Sequence, residues 1–334
     1  MTKTCSKVFQ LLVIVGFILG TCLLTPVLAG QDKITLNAVT YDQKANAMVR
    51  IWLSVFVDKV NERAKDKLFI NWRGGPEVVP PFSLGQSVAR GAVDMAFVSS
   101  TFYQPVVPGA DSMRFSLITR AEEREKGAYA LSREIHAKAG VYFLGCPSNM
   151  HDFYYHTALR KPVQKMEDFR GLKLAGSPAF LPCFKALGAV PVTATLKEYY
   201  SAVETGVTDG NMIGLDVYMA TAEYEVAPYV IDHPYFKSTN NVIINLQKWN
   251  SLPEDLKKVL DEAEIETERA LPDLWAAETT KMKQKATENK GKFVKLPPEV
   301  SQWYLDTFYT AGWKWQEENF PPDVVNKFRK LLAK

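Results

Sequence analysis

The side chains best placed to do chemistry in this chain are aromatic and polar ones that fall where short β-like runs end. Tyr41 follows the run 34–39, Trp72 and Arg73 follow or end the run 68–72, and Ser99 and Ser100 follow 95–98, with Tyr103 close behind. Indole, phenol, hydroxyl and guanidinium groups at such places suit recognition of a small molecule, which needs apolar walls and a few polar groups that fix orientation. Catalysis has less to work with. The chain carries no G-x-S-x-G elbow, no G-x-x-x-x-G-K-[ST] loop, no G-x-G-x-x-G turn and no H-E-x-x-H. Of four histidines, His151 and His156 crowd around Asp152. On an extended strand residues five apart point to opposite faces, which argues against a metal there. No metal and no cofactor is expected.

The elements that must position these groups begin after a targeting segment. Lys3 and Lys7 precede an apolar run, 8–24, and Val27-Leu28-Ala29 forms a small-residue cleavage site before Gly30. Residues 1–29 therefore read as a signal peptide. Leu19-Gly20-Thr21-Cys22 loosely matches a lipobox, although threonine before the cysteine fits it poorly. No later segment offers the ~20 apolar residues that span a bilayer, so the expectation is an exported, periplasmic chain. Cleavage removes two lysines and no acid, so 40 basic against 37 acidic residues become 38 against 37. Such a balance lacks the clustered basic footprint that nucleic acid demands. Cys146 and Cys183 remain after cleavage. In an oxidising compartment they could pair or stay as buried thiols, and spacing leaves both open.

About 305 mature residues is long for one core and comfortable for two. Short β-like runs alternate with amphipathic stretches, the pattern of an α/β chain. One helix is expected over 46–64, with Val49, Trp52, Phe56 and Val60 along one side, and another over 122–139. A second series starts near 153, with strands at 153–156, 172–174 and 211–213, and a further strand follows at 242–246. A long charged helix is expected from Pro253 to about 290, with Pro272 as a possible kink, and helices at 298–316 and 323–332 close the chain.

Two segments echo each other. Val88-Ala89-Arg90-Gly91-Ala92-Val93-Asp94-Met95 parallels Val203-Glu204-Thr205-Gly206-Val207-Thr208-Asp209-Gly210. In each, a helix end precedes a glycine suited to the left-handed conformation, then an aspartate, then a strand. Two similar α/β lobes would bring strand C-terminal ends to a common cleft, where open α/β sheets bind ligands.

The motifs Gly91-Ala92-Val93-Asp94-Met95, Asp168-Phe169-Arg170-Gly171-Leu172-Lys173, Leu187-Gly188-Ala189-Val190-Pro191 and Glu198-Tyr199-Tyr200 stand in order across the chain. Together they resemble the solute-binding proteins of TRAP transporters, the DctP-type family. The resemblance implies a two-lobed fold like the type II periplasmic binding proteins, with a ligand cleft between the lobes and a long helix bracing both. On that template residues 30–150, with part of 232–252, form one lobe and 151–231 the other, and 253–334 is a helical region packed on both. It also implies capture of a small organic solute for a membrane permease of two integral subunits, driven by an ion gradient. The oligomeric state stays open.

The resemblance implies a polar or charged ligand contact at three positions where this chain is apolar or aromatic. The usual carboxylate-clamping arginine is Ala175, a second frequent arginine is Tyr155, and a frequent asparagine is Ile213. Burying an unpaired carboxylate in a closed cleft costs several kcal/mol or more. A neutral or aromatic solute, stacked among Tyr41, Trp72 and Tyr155, is therefore favoured, and a cationic amine is a variant of the same idea. The alternative is an organic acid clamped by Arg73 from the opposite lobe. An exported enzyme or a sensor module on the same scaffold are the rival functions; a sensor calls for a further domain or membrane segment.

Overall fold

A computed structural model describes residues 33–147 and 154–333 of the 334. The expected signal peptide, and with it the lipobox-like Cys22, lies outside these residues, as do His151 and Asp152.

Two sheets organise the chain. The first has β1 (Ile34–Thr40), β2 (Leu68–Gly74), β3 (Met95–Ser99), β4 (Val141–Gly145) and β10 (Asn240–Asn245), in the order β2-β1-β3-β10-β4. β1 runs parallel to β2 and β3, and β10 antiparallel to β3 and β4. The second has β5 (Tyr155–Leu159), β6 (Lys173–Gly176), β7 (Val190–Thr193), β8 (Gly210–Gly214), β9 (Tyr229–Ile231) and β11 (Lys292–Val294), in the order β11-β9-β5-β8-β6-β7. Here β6 is parallel to β7 and β8, while β5 is antiparallel to β8 and β9. The chain crosses between sheets three times, after β4, between β9 and β10, and between β10 and β11. β7, β9 and β11 are three or four residues each and were not expected from the sequence, because so short a run shows no period.

The helix of Glu254–Asn289 spans 36 residues, about 54 Å at 1.5 Å per residue. It packs on the helices Ala47–Trp52 and Asp58–Arg63 and on β4 beside the first sheet, and on the helix Leu215–Ala220 and β11 beside the second. Leu256, Leu260, Leu271 and Trp275 supply its buried face. Ion pairs tack it down at Arg63–Glu266 (2.7 Å) and Lys283–Asp232 (2.6 Å). The helix runs through Pro272 without a break. The helix expected over 46–64 runs unbroken from Ala47 to Arg63, with a wider π-helical turn at Leu53–Val57 between Ala47–Trp52 and Asp58–Arg63. The one expected over 122–139 divides at Gly127, whose φ of 93° belongs to a left-handed residue, into Arg120–Glu125 and Ala128–Lys138.

The internal echo has a structural counterpart. Gly91 and Gly206 take φ of 75° and 77° just after their helices. Each following aspartate then grips the neighbouring parallel strand, Asp94 midway along β1 and Asp209 at the start of β6. Asp94 Oδ2 accepts the Asn37 N–H at 2.8 Å while the Asp94 N–H donates to the Asn37 carbonyl at 3.2 Å. Asp209 Oδ2 accepts the Lys173 N–H at 2.9 Å while its own N–H donates to the Lys173 carbonyl at 2.8 Å. These locks sit away from the strand C-termini.

Cys146 and Cys183 are both buried and unbridged. Burial pushes the Cys183 thiol up to about 12.

Candidate functional site

The parallel strands fix where a site can form. β1, β2 and β3 end at Thr40, Gly74 and Ser99, and β10 begins beside them at Asn240. In the second sheet β6 and β8 end at Gly176 and Gly214, and β5 begins beside β8 at Tyr155. Side chains from these two sets of ends meet across a seam between the sheets.

On one side of the seam Asn46 caps the helix Ala47–Trp52, its Oδ1 accepting the Met48 N–H at 2.9 Å. The cap fixes the amide's orientation, so that Nδ2 faces two carboxylates, Asp42 Oδ2 at 3.1 Å and Asp216 Oδ2 at 3.2 Å. Asp216 follows β8 in the second sheet, so this amide joins the two halves of the molecule. At roughly 6 Å and an effective dielectric near 20, two carboxylate charges repel by about 3 kcal/mol. The Tyr154 hydroxyl donates to Asp216 Oδ1 at 2.5 Å. Gly214 leaves the room for this, since a Cβ there would stand 2.3 Å from the Tyr154 ring. The Tyr41 hydroxyl receives the Asn240 amide and donates to Asn46 Oδ1, both at 3.4 Å. Burial raises the Asp216 carboxyl, against the hydrogen bonds of Tyr154 and Asn46. Burial first, then the charges of Asp216 and Asp42, push the Tyr41 phenol well above its usual value. Among the described residues no cation pairs with Asp216.

On the other side stands a buried arginine. Arg114 lies in the last turn of the 3-10 helix Ala110–Phe115 and ion-pairs with Asp111 at 2.8 Å. Its guanidinium also bonds Thr101 and lies 5.1 Å from the Phe180 ring centre and 5.7 Å from that of Tyr155. Asp111 is held in turn by Ser100 at 2.5 Å and Thr239 at 2.9 Å. Tyr155 thus packs edge-on to Tyr154 (4.7 Å) and Phe180 (4.9 Å), between the acidic and basic sides.

The residues expected from the sequence fall into three groups. Tyr41 and Tyr155 lie in the seam. Trp72 is half-buried against the first core, its indole N–H donating to Thr40 Oγ1 at 3.1 Å, and Arg73 is exposed on the edge strand β2 where the register with β1 shifts. Arg73 forms no ion pair or hydrogen bond with the described residues. Ser99 is buried beside Thr101 (3.3 Å). Tyr103 sits in the core, its hydroxyl bonded to His136 Nε2 at 3.0 Å and receiving the Asn241 amide at 2.5 Å. Burial holds that histidine at about 4. Ala175 and Ile213 are fully buried and pack with Tyr199 in the core of the second sheet. Sequence reading missed Asn46, Arg114, Phe180 and Asp216. Asp216 had a signal, since it stands two residues past a strand-ending glycine; Arg114 sits in an irregular segment without a period.

His156 is buried and held at about 4, chiefly by burial, and no metal-ligating cluster occurs among the described residues. A groove of about 1170 Å³ opens elsewhere, between the helices Leu181–Ala186 and Pro298–Asn319, where Trp303 and Trp315 are partly exposed. Tyr304, Phe308 and Trp313 of the same aromatic run are buried as packing.

Several known proteins share this architecture. A TRAP periplasmic solute-binding protein from Ochrobactrum anthropi, solved with its C-terminus bound in the ligand-binding pocket, superposes with a TM-score of 0.77 at 18% identity, covering 90% of this chain and 95% of that one. DctP7 of Bordetella pertussis, an extracytoplasmic solute receptor binding pyroglutamic acid, gives 0.74 at 17% identity, covering 90% and 99%. In sequence, the C4-dicarboxylate-binding periplasmic protein DctP of Rhodobacter capsulatus is 34% identical over 110 residues, 32% of each chain. The chain thus aligns with about a third of the length of the curated relatives it matches. The description of bacterial extracellular solute-binding protein family 7, DctP, matches residues 41–308, four-fifths of the chain. With that match and the two-sheet fold, the chain belongs to family 7 of the bacterial extracellular solute-binding proteins, the DctP family, whose members are receptors and not enzymes.

Proposed function

We propose that this protein is the periplasmic receptor of a TRAP-type, ion-gradient-driven transporter, and that it captures a small organic solute between its lobes for delivery to membrane permease subunits. The observation that carries the reading is the convergence of two sets of strand C-terminal ends on one seam that holds Tyr41, Tyr154, Tyr155, Phe180 and Asp216. Residues 30–150 with part of 232–252 make one lobe, and 151–231 the other. No helix among the described residues is long and apolar enough to cross a membrane; export rests on the N-terminal signal.

The solute is neutral or aromatic on this reading, with an amine as its cationic variant. Its support is that Ala175 and Ile213, two positions where the family resemblance implies a polar contact, are apolar and buried. Tyr41 and Tyr155 supply rings instead. A second reading keeps an organic acid, clamped by Arg73. It draws on that exposed guanidinium, which no described residue pairs, and on relatives such as the C4-dicarboxylate-binding protein. A thermal-shift screen of unfolded and refolded protein separates them. A ligand at a hundred times its Kd adds about 2.7 kcal/mol. Hits confined to carboxylates, and lost in Arg73→Ala, favour the clamp; neutral or amine hits unaffected by Arg73→Ala favour the aromatic cleft.

A further inference from the structure

We infer that the solute carries an ammonium group, paired with the Asp216 carboxylate and held against the rings of Tyr41, Tyr154 and Tyr155. The inference rests on the reading of the seam as the solute site and narrows the class of solute it takes.

The charge inventory of the seam is the reason. Asp216 and Asp42 flank one neutral amide nitrogen, that of Asn46. Among the described residues Asp216 is faced by Asn46, by the phenols of Tyr41, Tyr154 and Tyr155, and by the backbone N–H groups of Val217 and of its own residue, none of them cationic. The nearby cation, Arg114, is already neutralised by Asp111 and covered by the Tyr155 and Phe180 rings. A carboxylate out of bulk water with no counter-charge is costly, and a cation that arrives with the ligand removes that cost. An ammonium also interacts favourably with aromatic faces, which a carboxylate does not. A ligand carboxylate placed here would meet two like charges. The other cation at the strand ends, Arg73, stands exposed on the edge strand β2, while both acids belong to the seam. Asn46 bonds Asp216 from the opposite lobe, so a cation bound at that carboxylate also reports on lobe closure.

The test is a calorimetric comparison on the refolded mature chain with three probes that share one phenol: tyramine as the ammonium, tyrosol as the neutral and 4-hydroxyphenylacetate as the carboxylate. A wider set of amines, including choline and putrescine, and their neutral and acidic counterparts extends each class. At least one amine should bind, and Asp216→Asn should weaken it about 10- to 100-fold, the span of a hydrogen bond to a charged group. Asp42→Asn, on the neighbouring carboxylate, should weaken it severalfold, which keeps the test intact if Asp216→Asn fails to fold. An unchanged amine affinity in either folded variant overturns the inference. Binding by neutral or acidic probes alone overturns it while sparing the cleft. Silence in all three classes overturns both.

Discussion

Glu264 offers the sharpest test of the buried electrostatics, because its carboxylate has neither a hydrogen bond nor solvent. It lies on the long helix, fully buried, with both oxygens unpartnered. A Cβ on Gly145, at the end of β4, would stand 2.3 Å from it, so the strand end closes over the acid. One turn on, Glu268 is bonded by Arg124 at 2.9 Å, by the Cys146 N–H at 3.1 Å and by the Tyr129 hydroxyl. Burial, then the Glu268 charge, raise the Glu264 carboxyl well above its ordinary range, and Arg124 only partly opposes them. The folded chain then holds this proton to a higher pH than the unfolded chain does. Stability should fall as pH rises from about 4.5, at about 1.4 kcal/mol per pH unit for a full proton. Between pH 5 and 7 the loss is at most on the order of 2 kcal/mol. Glu264→Gln has nearly the same shape and no proton to lose, so it should match the parent at pH 5 and exceed it by about 2 kcal/mol at pH 7. For a chain of this length that is a rise of about 4 °C in Tm. Urea titrations at pH 5, 6 and 7 read the slope directly. A variant that keeps the parent's full pH dependence refutes the argument, since the missing proton would then lie elsewhere.

Three further outcomes follow from the packing. Asp94→Ala and Asp209→Ala each leave a strand N–H without its acceptor, so each should lose about 1–3 kcal/mol in urea unfolding, by similar amounts. Gly210→Ala drives a methyl to 2.2 Å from the Ala158 carbonyl and should cost at least about 1–3 kcal/mol, seen as a lowered Tm. Cys146 and Cys183 should both resist a thiol reagent until denaturant is added and then both react; reaction at one of them or at neither contradicts the absence of a disulfide between them.

Much of the fold was legible because long elements repeat their signal. The helix after Pro253, the helices near 298 and 323 and the strands of the first sheet all lie near their expected places. The glycine–aspartate echo proved informative because only a glycine accommodates a positive φ there, and only a short carboxylate reaches back to the next strand. Lost were the elements whose cause is tertiary. β11 exists because Lys292–Val294 lies beside β9. At the site, Tyr41 and Tyr155 could be placed by counting from strand ends. Tyr103 could not be assigned to the core that way, since its partners His136 and Asn241 lie 33 and 138 residues away. Asp216 and Arg114 gain meaning only from what faces them across the seam, and no spacing along the chain encodes that.

The twin aspartate locks bear on how such a receptor can change its cargo. Each sheet is fastened away from the seam, by groups that do not touch it. Substitution at the seam therefore leaves strand registry to these locks, and the two can drift at different rates. A lineage on such a scaffold could exchange side chains at the seam and still assemble. Selectivity is then the freely evolving property of this architecture, and assembly the guarded one.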